Sequence, residues 1–254
     1  MQKWINRLET WQNGAVEVET IDVRLPGLSA SLDGLRLLVV ADMHLHGETP
    51  QTDRVIARAR GARPDRVLIV GDMVDNHTTD LAPLARMLGM LVQIAPCVAI
   101  LGNNDYVGPD VKMLRRLYAE HGVVLLEDEM RTIEGTAGGL RILGLQDPAA
   151  FLLSRQTKRE ERSQEARSLP ALLQETHEKG PVLLLMHRPQ WAPKYAQMGI
   201  ALCVSGHAHG GQVRLPFVGG LFAPGQGMFP QYTSGLYAVA PQLQMVVSRG
   251  IGNH

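Results

Sequence analysis

At 254 residues the chain is long enough for one substantial core and short for two, so a single domain over 1–254 is the expectation. Lysine plus arginine (25) equals aspartate plus glutamate (25), which speaks against a nucleic-acid partner, because a phosphate-tracking binder shows a basic excess. Only two cysteines occur, Cys97 and Cys203, both inside apolar runs, so a disulfide scaffold is excluded and buried thiols are expected.

Short apolar runs bounded by Gly, Asp, Asn or His alternate with segments of helical spacing, which indicates a layered α/β architecture. In chain order, strands are expected at 16–24, 36–41, 66–70, 97–101, 123–126, 131–135, 140–144, 181–186, 201–205, 211–215, 235–240 and 243–248. Helices are expected at 50–61, 79–93 and 109–120, with Pro109 in the first turn of the third. Residues 154–168 alternate in charge with almost nothing apolar and read as a solvated helix face or insertion. Residues 219–232, rich in Gly and Pro but also in Leu, Phe and Met, read as a long ordered loop. No run approaches the ~18 uninterrupted apolar residues of a membrane span, and the first residues lack a secretory apolar core. The location expected for the chain as given is therefore cytoplasmic, or peripheral on the inner face of a membrane.

Five times an apolar strand ends abruptly in side chains able to bind metal, and strand carboxyl ends are where α/β proteins gather ligands. The five are Asp42-Met43-His44, Gly71-Asp72-Met73-Val74-Asp75, Gly102-Asn103-Asn104-Asp105, His187, and Gly206-His207-Ala208-His209. Carboxylate, imidazole and amide donors suit a hard-to-borderline divalent ion such as Mn²⁺, Zn²⁺ or Fe²⁺. If Asp42 and His44 lie on extended backbone, the period of two puts them on one face, and the same holds for His207 and His209. Each motif alone is weak; the ordered set is the signal.

In order and spacing these motifs resemble the calcineurin-like metallophosphoesterases, over residues 36–252. The run from Gly206 to Pro216, followed by Ser248 to Gly252, is similar to a bacterial branch of small phosphodiesterases that includes UDP-2,3-diacylglucosamine pyrophosphatases of lipid A synthesis. The resemblance implies a four-layer αββα sandwich of two mixed β-sheets flanked by helices, with the metal site at strand carboxyl ends. It implies two divalent metal ions, manganese before zinc or iron. Asp42, His44 and His209 would hold the first, Asn103, His187 and His207 the second, and Asp72 would bridge them. Asp75 would orient a ligand through a hydrogen bond. A metal-bridging hydroxide would attack phosphorus in a phosphodiester or pyrophosphate, the substrate being a nucleotide-linked lipid or sugar and contact with a membrane surface peripheral. Relatives of this branch continue into a further strand, which leaves the carboxyl terminus open to having been trimmed.

The third motif departs from the family pattern. Most members carry histidine where Asn104 stands, paired with the acidic residue corresponding to Asp105, to protonate or stabilise the leaving group. An amide donates a hydrogen bond but delivers no proton at neutral pH. Three readings stay open: the leaving group is acidic enough to depart unprotonated, His46 or His77 substitutes, or a histidine was replaced here to weaken the enzyme. Gly211 is a candidate for close approach of substrate to backbone or for a turn, and Arg249 is a candidate phosphate ligand. A nuclease, or a metal-binding interaction module that has lost catalysis, are the competing functions.

Overall fold

The computed structural model describes residues 16–47, 50–136, 138–152, 173, 179–211, 213–215 and 219–251. Its first sheet comprises β1 (Leu37–Val40), β2 (Arg66–Val70), β3 (Cys97–Ile100) and β4 (Val124–Leu125), in that order and parallel throughout. The second contains β5 (Glu129–Ile133), β6 (Leu140–Gly144), β7 (Val182–Leu185), β8 (Ile200–Ser205), β12 (Gly235–Ala240) and β13 (Leu243–Val247), in the order β12-β13-β8-β7-β6-β5. Its centre is parallel and its two edges antiparallel, so the mixed character resides in this sheet.

A parallel strand covered on both faces needs apolar side chains at every position, and β3 and β7 are buried throughout. Alternation then sorts these side chains into layers. Val67, Ile69 and Ala99 face the helices Pro50–Ala62, Ala82–Val92 and Val111–Glu120, meeting Ile56, Leu84, Leu88, Leu114 and Tyr118. Leu68, Val70, Val98 and Ile100 face the other way and interdigitate with Ile142, Leu183, Leu185, Leu202 and Val204 of the second sheet. Beyond that sheet, Leu184, Met186, Cys203 and Met245 pack on Ala192 and Tyr195 of a 3₁₀ helix, Pro189–Tyr195. The fold is therefore α/β, with two facing sheets flanked by helices. Each fully buried Leu, Ile or Val contributes about 1.5–3 kcal/mol through removal from water.

Register aligns the strand ends that matter: Val40 pairs with Ile69, Val70 with Ile100, Leu185 with Val204, and Val247 with Ser205. Among the described residues no helix is long and apolar enough to cross a membrane.

Several expected elements differ. Residues 16–24 form no strand; Ile21, Val23 and Leu25 turn inward in alternation, but the segment pairs with no strand among the described residues. The helix expected from 79 begins at Ala82, after a turn in which the Asp80 carboxylate accepts the Ala82 N–H. The helix expected from 109 begins at Val111, with the Asp110 side chain accepting from the Lys112 N–H, so Pro109 lies outside it. Residues 219–232 are a hairpin rather than a loop: β10 (Gly219–Ala223) pairs with β11 (Gly227–Met228) on one side and with β9 (Val213–Leu215) on the other. The glycines that argued for a loop allow this small sheet, since a Cβ on Gly220 would lie 2.8 Å from the Gly211 Cα. The charged stretch 154–168 lies outside the described residues.

Candidate metal centre

Six acidic and imidazole side chains from both sheets meet beyond the strand ends. Asp42, His44 and His209 form one group, and Asp72, His187 and His207 another, with potential ligand atoms inside each group within 4.8 Å of one another. The imidazoles pair accordingly, His44 with His209 at 5.0 Å between ring centroids and His187 with His207 at 4.9 Å. The groups touch, since the Asp42 Oδ1 lies 3.8 Å from the His209 Nε2 and 3.9 Å from the His187 Nε2.

The pleat does not bring them together. Asp42, His44, Asp72, His207 and His209 all have positive φ, between 47° and 66°, just after their strands stop. Left-handed backbone costs a non-glycine residue about 1–2 kcal/mol, with Asp and His among the types that tolerate it best. The surrounding chain holds it in place. The Asp42 N–H donates to the Gly71 carbonyl, the His44 N–H to that of Asp72, and the Ile251 N–H to that of Asp42. The same-face geometry expected from extended backbone is thereby replaced by successive left-handed kinks.

Each carboxylate is also fixed. Both Asp42 oxygens accept the His207 N–H at 3.0 Å. Asp72 accepts the Asn104 N–H on Oδ1 and the Asn104 side-chain amide on Oδ2, each at 2.8 Å. His187 places its Nδ1 2.9 Å from the Val70 carbonyl, which fixes the tautomer and presents Nε2 to the centre. That Nε2 is buried 3.1 Å from the Asp72 Oδ2 without a well-directed hydrogen bond. The Asn103 Oδ1 is likewise buried with no hydrogen-bond partner. A buried acceptor left unmade is costly, and a cation supplies what it needs. These nitrogen and oxygen donors therefore fit divalent metal ions.

Electrostatics without a cation agree. Burial pushes the Asp42 carboxyl up to about 7 against the pull of His187. Burial also raises Asp72, but the nearby charge of His187 and the Asn104 N–H outweigh it and hold that carboxyl well below the usual range. Burial lowers His187, yet Asp72 and then Asp42 hold its proton up to about 10. His207 is pushed down to about 2, first by burial, then by the charges of His187 and Arg188, which leaves a neutral imidazole ready to ligate.

Of the remaining candidates, Asp105 supports the centre from behind and the others lie apart from the metal groups. Asp105 is 1% exposed and faces backbone: Oδ2 accepts the N–H groups of Asp72 and Gly102, and Oδ1 that of Val74. Asp75 accepts the His77 N–H and bonds to no metal-group residue. His46 is exposed, its Nδ1 against the His44 carbonyl, and the exposed His77 has its backbone on Asp75. Gly211 closes a turn on Ala208 and packs on Gly220. Arg249 lies 3.4 Å from Glu17 at the surface.

Sequence reasoning missed Gly102 and the Asp147–Arg188 pair. A Cβ at Gly102 would overlap the Asp72 Oδ1 and stand 2.8 Å from the His187 Cε1. Asp147, just beyond β6, binds Arg188 through both its oxygens, at 2.6 and 2.9 Å. The signal was present: Asp147 is one more polar residue just past a buried strand, where the other five motifs stand.

The profile of the calcineurin-like phosphoesterase family matches residues 35–211. The chain belongs to that family. It is 29% identical to a transmembrane protein with metallophosphoesterase domain from Danio rerio over 94% of its own length, and spans about half, 54%, of that relative. It is 26% identical to the phosphodiesterase YaeI of Escherichia coli, covering 92% of this chain and 82% of YaeI. The crystal structure of a dimetal phosphatase from Danio rerio has the same fold, with a TM-score of 0.51 at 14% identity over 85% of this chain and 88% of that one.

Proposed function

We propose that this chain hydrolyses a phosphodiester or pyrophosphate bond with two divalent cations, manganese before zinc or iron. The observation that carries the reading is the convergence of Asp42, His44, Asp72, His187, His207 and His209 from two sheets, beside the unpartnered Asn103 amide oxygen. Asp42, His44 and His209 would hold one cation, Asn103, His187 and His207 the other, and Asp72 would bridge. Bound there, the pair would supply Lewis acidity and an activated water at neutral pH. The chain's own part is to fix ligand directions through the His207 N–H, the Asn104 N–H and the Val70 carbonyl, so that little reorganisation accompanies reaction.

Asn104 narrows the substrate. Its side-chain amide donates to Asp72, and no imidazole stands there to hand a proton to a departing oxygen. A leaving group that departs as a stable anion fits best, such as the phosphate of a nucleotide joined to a lipid or sugar, with UDP-2,3-diacylglucosamine as the type. The same asparagine favours a second reading, a metal-binding module with impaired catalysis. With Mn²⁺ and a bis-aryl phosphate, the wild type is expected to turn over and Asp72→Ala to lose activity and metal together. No turnover by the wild type, or full activity in Asp72→Ala, overturns the first reading.

A further inference from the structure

Arg188 directly follows His187, yet its guanidinium belongs to a different arrangement. Nε donates to the Asp147 Oδ2 at 2.6 Å and Nη2 to the Oδ1 at 2.9 Å, the two-pronged geometry in which arginine is most rigidly held. Asp147 has a side-chain exposure of 0% and Arg188 of 23%, so the carboxylate is an internal anchor while part of the cation reaches the surface. The anchor is itself pinned, because the Asp147 Oδ1 also accepts the Ala149 N–H. Trp191 stands beside the guanidinium, its ring centroid 5.9 Å from the Arg188 carbon, and Lys194 lies 4.0 Å from the same centroid. Gln146, Asp147, His187, Arg188, Trp191 and Tyr195 line one recess, which places Arg188 beside a residue that would hold the second cation.

A bare ion pair at a strand end needs no such construction. Surface pairs contribute little, and a buried carboxylate is costly unless it is paired and hydrogen-bonded, as Asp147 is by Arg188 and the Ala149 N–H. Of five guanidinium N–H donors, the pair with Asp147 uses two in one plane, and that plane is fixed. An arginine so oriented matches a phosphate oxygen pair in a way that a lysine does not.

We propose that Arg188, aimed by Asp147, grips a non-bridging phosphate oxygen of the substrate beside the second metal group. Arg188 is then a substrate-binding residue, and Asp147 is its positioning residue. The inference rests on the two-cation phosphoesterase reading, and its test separates the two.

The probe is inorganic phosphate, titrated calorimetrically into the Mn²⁺-loaded protein, with bound metal counted by elemental analysis. Wild type is expected to bind phosphate. Arg188→Ala should keep both metals and weaken phosphate about 10- to 100-fold, the loss of a charge-assisted contact. Arg188→Lys, which keeps the charge but loses the fork, should fall between; it decides the matter if the alanine variant does not fold. Asp147→Asn should raise KM for a bis-aryl phosphate more than it lowers kcat. Unaltered phosphate affinity in a metal-replete Arg188→Ala or Arg188→Lys protein overturns the role of Arg188 and leaves the phosphoesterase reading standing. A metal-replete wild type that neither binds phosphate nor turns over overturns both.

Discussion

Replacing Gly102 by alanine adds one methyl at the crowded heart of the centre. The backbone there is extended, with φ −97° and ψ −176°, so alanine meets no torsional penalty and any effect comes from contacts. Those contacts are severe: the new carbon would overlap the Asp72 Oδ1, approach the Asp72 backbone nitrogen to 2.6 Å and the His187 Cε1 to 2.8 Å. Neither neighbour can retreat, since Asp72 is held by Asn104 and Asp105, and His187 by the Val70 carbonyl. Overpacking of this kind costs about 1–3 kcal/mol. For a protein of this size each kcal/mol shifts Tm by about 2–4 °C, so Gly102→Ala should melt roughly 2–12 °C lower. It should also bind the second metal poorly. Gly61→Ala is the control, since nothing lies within 4 Å of its added carbon and it sits in the helix Pro50–Ala62. Gly61 is the next-to-last residue of that helix, so propensity predicts a small gain at most, below the roughly 0.5–1 kcal/mol of a helix interior. Calorimetry with metal analysis on both variants reads the difference. A Gly102→Ala protein with unaltered Tm and two bound metals would refute the claim that Asp72 and His187 are sterically locked.

Metal affinity should rise with pH. Without cations Asp42 holds its proton up to about 7 and His187 up to about 10, and a cation binds only the deprotonated forms. Between pH 5 and 7 one to two protons leave per binding event, an increase of about tenfold per pH unit for each; titration calorimetry in buffers of differing ionisation enthalpy counts them, and a flat affinity contradicts the assignment. Asn104→His should accelerate hydrolysis of esters with poor leaving groups by about 10²-fold if a missing general acid limits them. A fall in turnover of aryl substrates would instead mark asparagine as adapted to its hold on Asp72.

Much of the arrangement was legible in the sequence because parallel strands announce themselves by continuous apolar runs, and each run here switches abruptly to Asp, Asn or His. The layering of Val67 and Ile69 against Leu68 and Val70 follows from the same pattern. What the sequence hid lay in backbone torsion and long-range partners. Nothing in Asp42-Met43-His44 distinguishes an extended segment from two left-handed residues; that choice is made by the carbonyls of Gly71 and Asp72, just past the end of the neighbouring strand β2. Asp105 looked like a cleft residue because it follows Asn104, yet the short helix Asn103–Val107 turns it inward onto three backbone N–H groups. Asp147 showed itself as a polar residue past a buried strand, but its pairing with Arg188 spans 41 residues and could not be read locally. The hairpin of β10 and β11 was obscured by glycines that are unfavourable in isolated strands and tolerated only where Gly220 slides over Gly211.

Asp42, Asp72 and Asn103 hang from one sheet, and His187, His207 and His209 from the other. Any ion shared among them spans the seam between the two halves of the sandwich, fastening at one rim two sheets that face each other elsewhere through interdigitated Leu, Ile and Val. Chelation would unfasten that rim first, so slowly exchanging amides near Asp42 and Gly206 should open while those at Leu68 and Leu183 stay closed.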